Sequence, residues 1–583
     1  MSPVAVRDEA AAIATRLRTA RAALRLEAID DALLGAMAAA MAETGRIDPW
    51  LCGTVYERRL AGDRRRRRAG GAYYTPPHLV DFVVERTVGR ALARGADPLG
   101  LRVVDLACGG GAFLLGVVDR IATACPAAGG AAGAALRRRI AEECVVGVEL
   151  DPVAAQVCRL ALSLASSGAS APIVVADALL DDDALAAAGI TDGAVDAVVG
   201  NPPWGQKGFR FPAAVAARLR ARYATATGVL DPFKLFVERA VGLLRSGGRW
   251  GMVLPDIVLL KDQQPLRHLL LARCALEHIA DAGRVFPGVN LDAVVITARR
   301  AAPPPRHRIA IWHRLPLDWR RSAPPTVRLA QAVFTRLPGQ RFNLHLTAAS
   351  LALLERLESL PRLGDRFEVH EGVHTGNARA RLFCAVRPAG AAARVVVGGA
   401  ELGRFRLDWA GTWLDLDPAA IDRVAGGYAN LGRPAWHRAG KLVVRRTGDR
   451  IVCARDRVGL WVSNNAFVVV PRAPMPEAEL AAWTALLASA AITWWFRTVQ
   501  PRTGRLFAEL KIQHLVCVPR PEGPAWRRAV PVLARLATRA ERCARDRDAA
   551  GLAVVDEAID AAVARAFAFD AAERALIATT AVG

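Results

Sequence analysis

The chain is poor in lysine, in closely spaced cysteines and in long apolar runs. Only five of its 78 basic residues are Lys. The ten cysteines are scattered and include no Cys-x-x-Cys pair, so the sequence indicates neither a zinc ribbon nor a disulfide framework. No uninterrupted apolar run has the ~20 residues that span a membrane, and Met1-Ser2-Pro3 begins no signal peptide. We therefore expect a reduced, cytoplasmic protein with no metal site and no membrane partner.

The shortage of lysine does not make the chain less basic, because arginine supplies the charge. The formal net charge is +22 and the sequence pI is about 10.6. A bias in genome composition can explain arginine in place of lysine, but it does not explain the surplus of positive over negative charge. Such a surplus favours a polyanionic partner, bound by phosphate contacts that weaken as the salt concentration rises. The charge therefore favours a nucleic-acid partner.

Alternating strand-like and helix-like segments predict an α/β domain between Gly71 and about Arg300. This alternation is typical of βαβ units and of a mostly parallel, doubly wound sheet. The predicted strands are Val103–Asp105, Val145–Leu150, Ile173–Val175, Val195–Val199, Trp250–Leu254 and Ala293–Thr297. Ahead of them, residues 5–45 have apolar positions at helical spacing and are predicted to form two helices.

The length of 583 residues predicts several structural units rather than one. Two proline-rich stretches, "RRAAPPPRHR" and "SAPPTV", mark a change of composition after the predicted sheet. We predict an N-terminal helical segment at 1–70, an α/β domain at 71–300, a linker at 301–345, a mixed α+β domain at 346–525 and a helical tail at 526–583.

A glycine-rich loop follows the first predicted strand. The segment "DLACGGGAF" runs from Asp105 through Gly109 and Gly111 to Phe113, and a helical stretch comes next. Glycines at such a turn let the backbone approach a ligand and leave the N–H groups of the helix available to it. The same loop could simply be a tight βα turn. Glu149 strengthens the ligand interpretation, because it ends the next predicted strand, where a carboxylate can bind ribose hydroxyls.

The loop does not have the pattern expected for NAD. It matches G-x-G-x-x-G poorly, and Glu149 lies farther along the chain than the ~20 residues usual for dinucleotide sites. An adenosyl ligand without a pyrophosphate therefore fits better. Asp177, after the third strand, could accept a hydrogen bond from the adenine amine or could cap the following helix, and these two roles are compatible.

The segment "VDAVVGNPPWGQ" ends the fourth predicted strand. Pro202 and Pro203 lack backbone N–H groups and stop the strand at Asn201, on the sheet edge where open α/β folds bind ligands. The side-chain carbonyl of Asn201 and the backbone carbonyl of Pro202 could accept both N–H bonds of an aromatic amine and turn its lone pair towards a methyl donor. Trp204 could stack on a base taken out of a duplex. The alternative is a Pro-Pro turn with an Asx cap.

Methylation at cytosine C5 is not indicated. That chemistry would need a cysteine nucleophile directly after proline, and no Pro-Cys dipeptide occurs in the chain. The carbonyls of Asn201 and Pro202 suit an exocyclic amine instead.

Together these motifs resemble the gamma-class adenine-N6 DNA methyltransferases with a fused target-recognition domain, as in type IIG-like restriction–modification enzymes. "GAYYTPPHLV" is similar to the leading cofactor motif of that family, and "DLACGGGAF" to its motif I, with Leu106 for the usual Pro and Gly110 for the usual Ser or Thr. "DPFKLFVERAVGLLRSGGRWGMVLP" and "RVFPGVNLDAVVIT" are similar to its later motifs. Trp204 stands where Tyr or Phe is commoner.

The resemblance implies a Rossmann-like methyltransferase sheet that binds S-adenosyl-L-methionine and methylates N6 of an adenine flipped from double-stranded DNA. The choice of adenine over cytosine N4 rests on the resemblance alone. The implied catalytic residues are Asn201, Pro202, Pro203 and Trp204. The implied cofactor-binding residues are Tyr74, Thr75, Pro76, Asp105, Ala107, Gly109, Gly111, Phe113, Glu149, Asp177 and Asn201.

Several later segments resemble the recognition domain and helical tail of the same family. They include "EGVHTGNARARLF", "KLVVRRTGDRIVCARDRVGLWVSNNAFVVV" and "ELKIQHLVCVPRP". An Arg-rich β region of this kind can contact phosphates and base edges. We expect either Arg445 or Arg446 to face DNA. His374 is expected to be a loop residue rather than a metal ligand.

The sequence predicts methylation without cleavage. Fused enzymes of the family place an Asp…Glu-x-Lys nuclease ahead of the methylase, but no lysine precedes Lys207, and Glu509-Leu-Lys511 is an isolated match. A separate nuclease or defence-complex subunit is left open as a partner. Two alternatives are also left open: a catalytically silent DNA-specificity component of a defence complex, and a methyltransferase of protein glutamine or RNA guanine.

Overall fold

The structure is a computed structural model that divides into two compact units, Met1–Leu344 and His345–Gly583. The residues that it describes are 3–62, 75–125, 130–205, 211–260, 263–286, 291–319, 321, 323–417, 429–448, 450–499 and 510–581. Among these residues, no helix is both long enough and apolar enough to cross a membrane.

A nine-stranded sheet organises the described part of the first unit. Its order is β3-β2-β1-β4-β5-β7-β6-β8-β9. The five strands from β3 to β5 in this order pair with one another in parallel, whereas β7 lies antiparallel between β5 and β6. The strands are β1 (Val103–Asp105), β2 (Val145–Glu149), β3 (Ile173–Val175), β4 (Val195–Gly200), β5 (Leu244–Pro255), β6 (Cys274–Gly283), β7 (Ala293–Arg300), β8 (Arg308–Trp312) and β9 (Val327–Ala330).

The predicted α/β fold class is confirmed, and each predicted strand is present. The strands at the centre of the sheet are continuous apolar runs: Val103, Val104 and Val145 are fully buried. Such runs are typical of parallel strands that are covered on both faces. Strand β6 was not predicted, because Glu277, His278 and Asp281 interrupt its apolar pattern.

The segment predicted as a linker, 301–345, instead contributes two strands to the sheet. Strand β8 pairs in parallel with β6, and β9 pairs antiparallel with β8. Ile309 and Ile311 are fully buried. The prolines that suggested a linker lie in the loops that precede these strands, where a missing backbone N–H does not cost a ladder hydrogen bond.

Helices precede, connect and flank the strands of the first unit. The two helices predicted within residues 5–45 are α1 and α2. Asp30 caps the N-terminus of α2, where its side chain accepts a hydrogen bond from the Leu33 N–H. The helices are α1 (Pro3–Ala23), α2 (Asp31–Thr44), α3 (Trp50–Gly62), α4 (Pro77–Val84), α5 (Ala112–Ala124), α6 (Gly130–Arg139), α7 (Pro152–Ala165), α8 (Asp182–Ala187), α9 (Ala213–Arg222), α10 (Pro232–Leu243), α11 (Ile257–Leu260), α12 (Gln264–Arg273) and α13 (Gln331–Arg336).

The second unit is mixed α+β, with helices at its C-terminal end. Its sheets have the orders β10-β19-β16-β17, β11-β15-β12-β18 and β13-β14. The strands are β10 (Phe367–Glu371), β11 (Phe383–Cys384), β12 (Ala392–Val396), β13 (Leu402–Gly403), β14 (Arg406–Leu407), β15 (Trp413–Asp415), β16 (Lys441–Arg445), β17 (Cys453–Asp456), β18 (Trp461–Val462) and β19 (Ala466–Pro471). The helices are α14 (Ala348–Glu358), α15 (Arg379–Leu382), α16 (Glu477–Ala488), α17 (Ala490–Val499), α18 (Ile512–Leu515), α19 (Gly523–Asp546), α20 (Ala549–Ala566) and α21 (Ala571–Ala581).

Candidate functional site

Three polar side chains meet at the carboxyl edge of the central sheet. Asp105 ends β1, Glu149 ends β2, and Asn201 directly follows β4. Because β1 pairs in parallel with both β2 and β4, their carboxyl ends lie side by side. Open α/β sheets bind their ligands at this edge.

Asp105 is buried in the floor of the site. The residue is 1% exposed, and its Oδ1 accepts a hydrogen bond of 3.1 Å from the Ala107 N–H. Burial raises the pKa of the Asp105 carboxyl to about 8. The neighbouring Gly200 leaves room for this carboxyl, since a Cβ at that position would lie 2.6 Å from Asp105 Oδ1.

The glycine-rich loop forms the connection between β1 and α5. Gly111 has a φ of +91°, in the region that favours glycine, and a Cβ there would lie 2.8 Å from the Cys158 sulfur. The Cys108 N–H donates to the Val148 carbonyl at 3.0 Å, which ties the loop to β2. Phe113, predicted to bind the cofactor, is buried in the first turn of α5.

Glu149 holds the loop from the adjacent strand. Its Oε2 accepts a hydrogen bond from the Gly109 N–H and its Oε1 accepts one from the Asp151 N–H, both at 2.9 Å. Burial raises the pKa of this carboxyl.

Two apolar side chains beside Glu149 were not predicted as site residues. Leu150 is 70% exposed and Val175, at the end of β3, is 45% exposed. Large apolar side chains at adjacent strand ends can cover the faces of a flat ring. Their only signal in the sequence was their position one residue after, or at, the end of a strand.

Asp177 closes a turn and does not cap the next helix. Its Oδ1 accepts a hydrogen bond of 2.9 Å from the Leu179 N–H. The cap of α8 is instead Asp181, which accepts from the Ala184 N–H. The helix-cap alternative for Asp177 is therefore wrong, because the helix begins several residues later. The half-buried carboxylate remains beside the end of β3.

The side-chain amide of Asn201 uses its nitrogen in a hydrogen bond with Thr75, while its buried oxygen accepts none from the described residues. Its Nδ2 donates a hydrogen bond of 3.2 Å to Thr75 Oγ1, and Thr75 is itself buried. Asn201 Oδ1 is buried and accepts no hydrogen bond from any described residue. A buried carbonyl without a donor is unfavourable, so this atom is poised to accept an N–H from a ligand.

The residues after Asn201 pack against the sheet. Pro202 is buried and Pro203 is half-buried. Trp204 is only 4% exposed: its Nε1 donates to the Val253 carbonyl at 3.4 Å, and its ring meets Phe286 edge-on at 5.2 Å. Trp204 was predicted to offer a face for stacking, whereas here the indole is largely enclosed.

Asp231 anchors the end of this loop. Its Oδ1 accepts a hydrogen bond of 2.7 Å from the Gly205 N–H, and burial raises the pKa of its carboxyl to about 6. Asp231 had no predicted role, although it begins one of the motifs of the resemblance. It holds the chain just after Trp204 in place.

Of the residues predicted to bind the cofactor, the structure brings Asp105, Glu149 and Asn201 together with Gly109 and Thr75. Pro76 directly precedes α4, and Ala107 donates its N–H to Asp105. Tyr74 lies outside the described residues.

Arg445 and Arg446, one of which was predicted to face DNA, lie at the end of β16 and directly after it. Arg445 Nε donates to the Thr447 carbonyl at 2.8 Å, and Arg446 Nη1 lies 3.3 Å from Glu371 Oε1. His374 pairs through its backbone with Asn430 in an isolated bridge. Glu509 lies outside the described residues.

Exposed arginines also stack on aromatic rings in this unit. The guanidinium groups of Arg387 and Arg394 lie 5.4 Å and 5.7 Å from the ring centres of Trp413 and Trp409. Arg379 lies in the same way over Phe383. Stacking orders a guanidinium and leaves its edge available to an anion.

Two family models match the chain. Residues 48–312 match N-6 DNA Methylase, and residues 394–519 match the TaqI-like C-terminal specificity domain. The chain therefore carries an N-6 DNA methylase domain and a TaqI-like specificity domain, as the motif resemblance predicted.

Curated relatives are type II methyltransferases. Over 244 residues the chain is 32% identical to M.TthHB8I of Thermus thermophilus, an alignment that covers 41% of this chain and 46% of that protein. It is 24% identical over 285 residues to M.VspI of a Vibrio species, which covers 49% of this chain and 60% of the relative. The chain thus spans about half the length of these relatives.

Solved structures share the fold over most of the chain. The type IIL restriction–modification enzyme MmeI, in complex with DNA, is 16% identical with a TM-score of 0.58, covering 92% of this chain and 81% of that one. A complex of DrdV with DNA is 12% identical with a TM-score of 0.56, covering 84% and 60%. At these identities the comparison establishes the fold alone.

Proposed function

We propose that this chain, an N-6 DNA methylase domain joined to a TaqI-like specificity domain, transfers a methyl group from S-adenosylmethionine to N6 of an adenine flipped out of double-stranded DNA. The observation that carries the proposal is the buried, unpartnered Oδ1 of Asn201 at the end of β4. A methylase of restriction–modification type is the biological setting that the relatives support.

Asn201 and Pro202 act on the amine of the target base. The lone pair of an aromatic amine is delocalised into its ring, so the nitrogen is a weak nucleophile. Asn201 Oδ1 and the Pro202 carbonyl each accept one of its N–H bonds, which favours a pyramidal nitrogen whose lone pair is directed at the methyl group. The extra proton leaves after transfer, so no strong base is required at the start.

Thr75 keeps the amide in the productive orientation. Because its hydroxyl accepts from Nδ2, the amide cannot rotate without losing that hydrogen bond, and Oδ1 stays directed towards the amine. Asp231 holds the backbone after Trp204 through the Gly205 N–H. These contacts pre-organise the acceptors before the base arrives.

The residues around the glycine loop fit S-adenosylmethionine. When bound, this cofactor supplies a methyl group on a positively charged sulfur. Glu149 has lone pairs available for the ribose hydroxyls, and Leu150 and Val175 are exposed beside it to cover the adenine ring. Asp177 would accept a hydrogen bond from the adenine amine of the bound cofactor.

The second unit binds the DNA target. Its exposed Arg379, Arg387 and Arg394 are ordered by aromatic rings and are suited to phosphate contacts. Phosphate contacts position the protein on DNA, while base contacts from the specificity domain select the site.

The test is modification-sensitive sequencing of DNA from cells that express the chain, beside cells that express Asn201→Ala. N6-methyladenine at one recurrent motif, absent with the variant, is the expected result. Melting curves of both purified proteins establish that the variant folds. If the DNA remained unmodified while the folded wild-type protein bound DNA, the proposal would be wrong, and a catalytically silent specificity component would take its place.

A further inference from the structure

Helix α3, which precedes the cofactor motif, lies directly against the glycine-rich loop. Gly53 of the helix and Gly110 of the loop meet without side chains: a Cβ on Gly110 would lie 2.3 Å from the Gly53 Cα, and a Cβ on Gly53 would lie 3.1 Å from the Gly110 oxygen. The two backbones are therefore in contact. This contact brings the next turn of α3 to the rim of the site.

Glu57, one turn after Gly53, is the polar side chain that α3 presents to the loop. Its Oε1 is 3.7 Å from the position that a Cβ of Gly109 would occupy. Its Oε2 is buried and accepts no hydrogen bond from any described residue. Burial, and secondarily the charge of Glu149, raises the pKa of the Glu57 carboxyl to about 8. Two carboxyl groups thus flank Gly109.

The docking of α3 does not explain this carboxyl. Tyr56 attaches the helix through a hydrogen bond from its hydroxyl to Asp151, and Cys52 and Thr54 are buried on the packed face. A buried carboxyl without a partner destabilises a fold, so a structural role alone would be filled better by an apolar residue. The unpartnered oxygen indicates a ligand instead.

We infer that Glu57 is a cofactor-binding residue whose carboxyl accepts a hydrogen bond from a donor group of the cofactor held at the glycine loop. The candidate donors are a ribose hydroxyl and the ammonium group of the methionine end, since both groups of this cofactor donate hydrogen bonds. The inference rests on the proposed function. S-adenosylmethionine carries a net positive charge, which complements two neighbouring carboxyl groups.

Calorimetric titration of S-adenosylmethionine into the full chain tests the role of Glu57. Because Gln has nearly the shape of Glu but cannot ionise, Glu57→Gln is expected to fold while it loses the charged acceptor that a hydroxyl or ammonium donor favours. We expect its Kd to rise at least tenfold. Glu43→Gln, an exposed glutamate on the neighbouring helix α2, is the matched control and should bind as the wild type does.

A second ligand identifies the donor group. 5′-Methylthioadenosine retains the ribose and adenine but lacks the amino-acid end. If Glu57→Gln weakens the binding of both ligands by the same factor, the donor is a ribose hydroxyl. If only the binding of S-adenosylmethionine weakens, the donor is the ammonium group. Either outcome supports Glu57 as a cofactor-binding residue.

Unchanged affinity of Glu57→Gln for both ligands would overturn the inference and leave the proposed function standing. If the wild-type chain bound neither ligand, both proposals would fall. Should Glu57→Gln fail to fold, Glu57→Asp decides the matter, because it keeps the acid and withdraws it by one methylene. A threefold or larger rise in Kd for folded Glu57→Asp supports the inference, and an unchanged Kd rejects it.

Discussion

The Thr75 hydroxyl accepts a hydrogen bond from the Asn201 amide and so fixes which way that amide is turned. Thr75→Val keeps the shape of the side chain but removes the acceptor for Asn201 Nδ2. With the amide free to rotate, we expect the methyl-transfer rate to fall about tenfold, equivalent to about 1.4 kcal/mol. Single-turnover transfer to duplex DNA measures the rate. Thr75→Ser is the control and should restore it, whereas an unchanged rate in Thr75→Val would remove Thr75 from the mechanism.

The buried acids predict an unusual dependence of stability on pH. The pKa of Asp105 is raised from an ordinary 3.8 to about 8, and Glu57 and Glu149 are raised as well. The folded protein therefore holds protons that the unfolded chain releases. The stabilisation is fully present below about pH 4 and is lost as the pH rises through 8.

We accordingly expect the free energy of unfolding of the cofactor-free protein to decrease between pH 6 and pH 8 by about 1 kcal/mol or more. Asp105→Asn cannot ionise and should show a shallower decrease. Urea denaturation at several pH values measures both. A parallel decrease in wild type and Asp105→Asn would show that Asp105 does not cause it.

Among single residues, the acids and the amide at the strand ends could be predicted from the sequence, but the residues that lie beside them in the fold could not. Asp105, Glu149 and Asn201 could be predicted because each follows an apolar run that ends at the ligand edge of a parallel sheet. Glu57 could not, because its proximity to Gly109 depends on how α3 packs. Leu150 was missed because an apolar residue next to an apolar strand has no distinctive pattern.

At the scale of secondary-structure elements, α3 and the glycine-rich loop touch at two glycines, Gly53 and Gly110. Their lack of side chains is what permits the contact. Gly110→Ala places a Cβ 2.3 Å from the Gly53 Cα, so one backbone has to move. We expect a loss of about 1–3 kcal/mol in unfolding free energy, together with weaker cofactor binding.

Gly35→Ala is the matched control for that substitution. It lies within α2, where an added Cβ meets no atom within 4 Å, and replacing a helical glycine should stabilise by about 0.5–1 kcal/mol. Chemical denaturation and calorimetry compare the two variants. Equal effects of Gly110→Ala and Gly35→Ala would show that the close approach is unimportant.

Strand prediction succeeded where apolar runs were continuous and failed where polar residues or prolines interrupted them. Strand β8 has four buried residues in a row, yet the prolines before it outweighed that signal in the prediction of a linker. In the structure this segment is a strand because it pairs with β6. Strand β6 was itself not predicted. Tertiary pairing of this kind has no local signature.

For the molecule as a whole, the charge of +22 predicts DNA binding that depends strongly on salt. We expect the affinity for duplex DNA to fall by about two to three powers of ten between 50 and 200 mM salt. Arg387→Gln and Arg394→Gln should each weaken binding to all sequences alike and lower the salt slope by about one. Fluorescence anisotropy with specific and non-specific duplexes measures these slopes. A salt-independent affinity would exclude phosphate contacts as its main source.

Because α3 packs closely on the glycine-rich loop, this packing limits how far the chain can be shortened from its N-terminus for expression. A fragment that began at Thr75, the first described residue of the cofactor motif, would lack Gly53, Tyr56 and Glu57, and the outer side of the loop would be left bare. Such a fragment would be a poor reagent for screening cofactor analogues, however well it was purified. A better fragment would begin before Asp30, so that it contains α2 and α3 as well as the sheet.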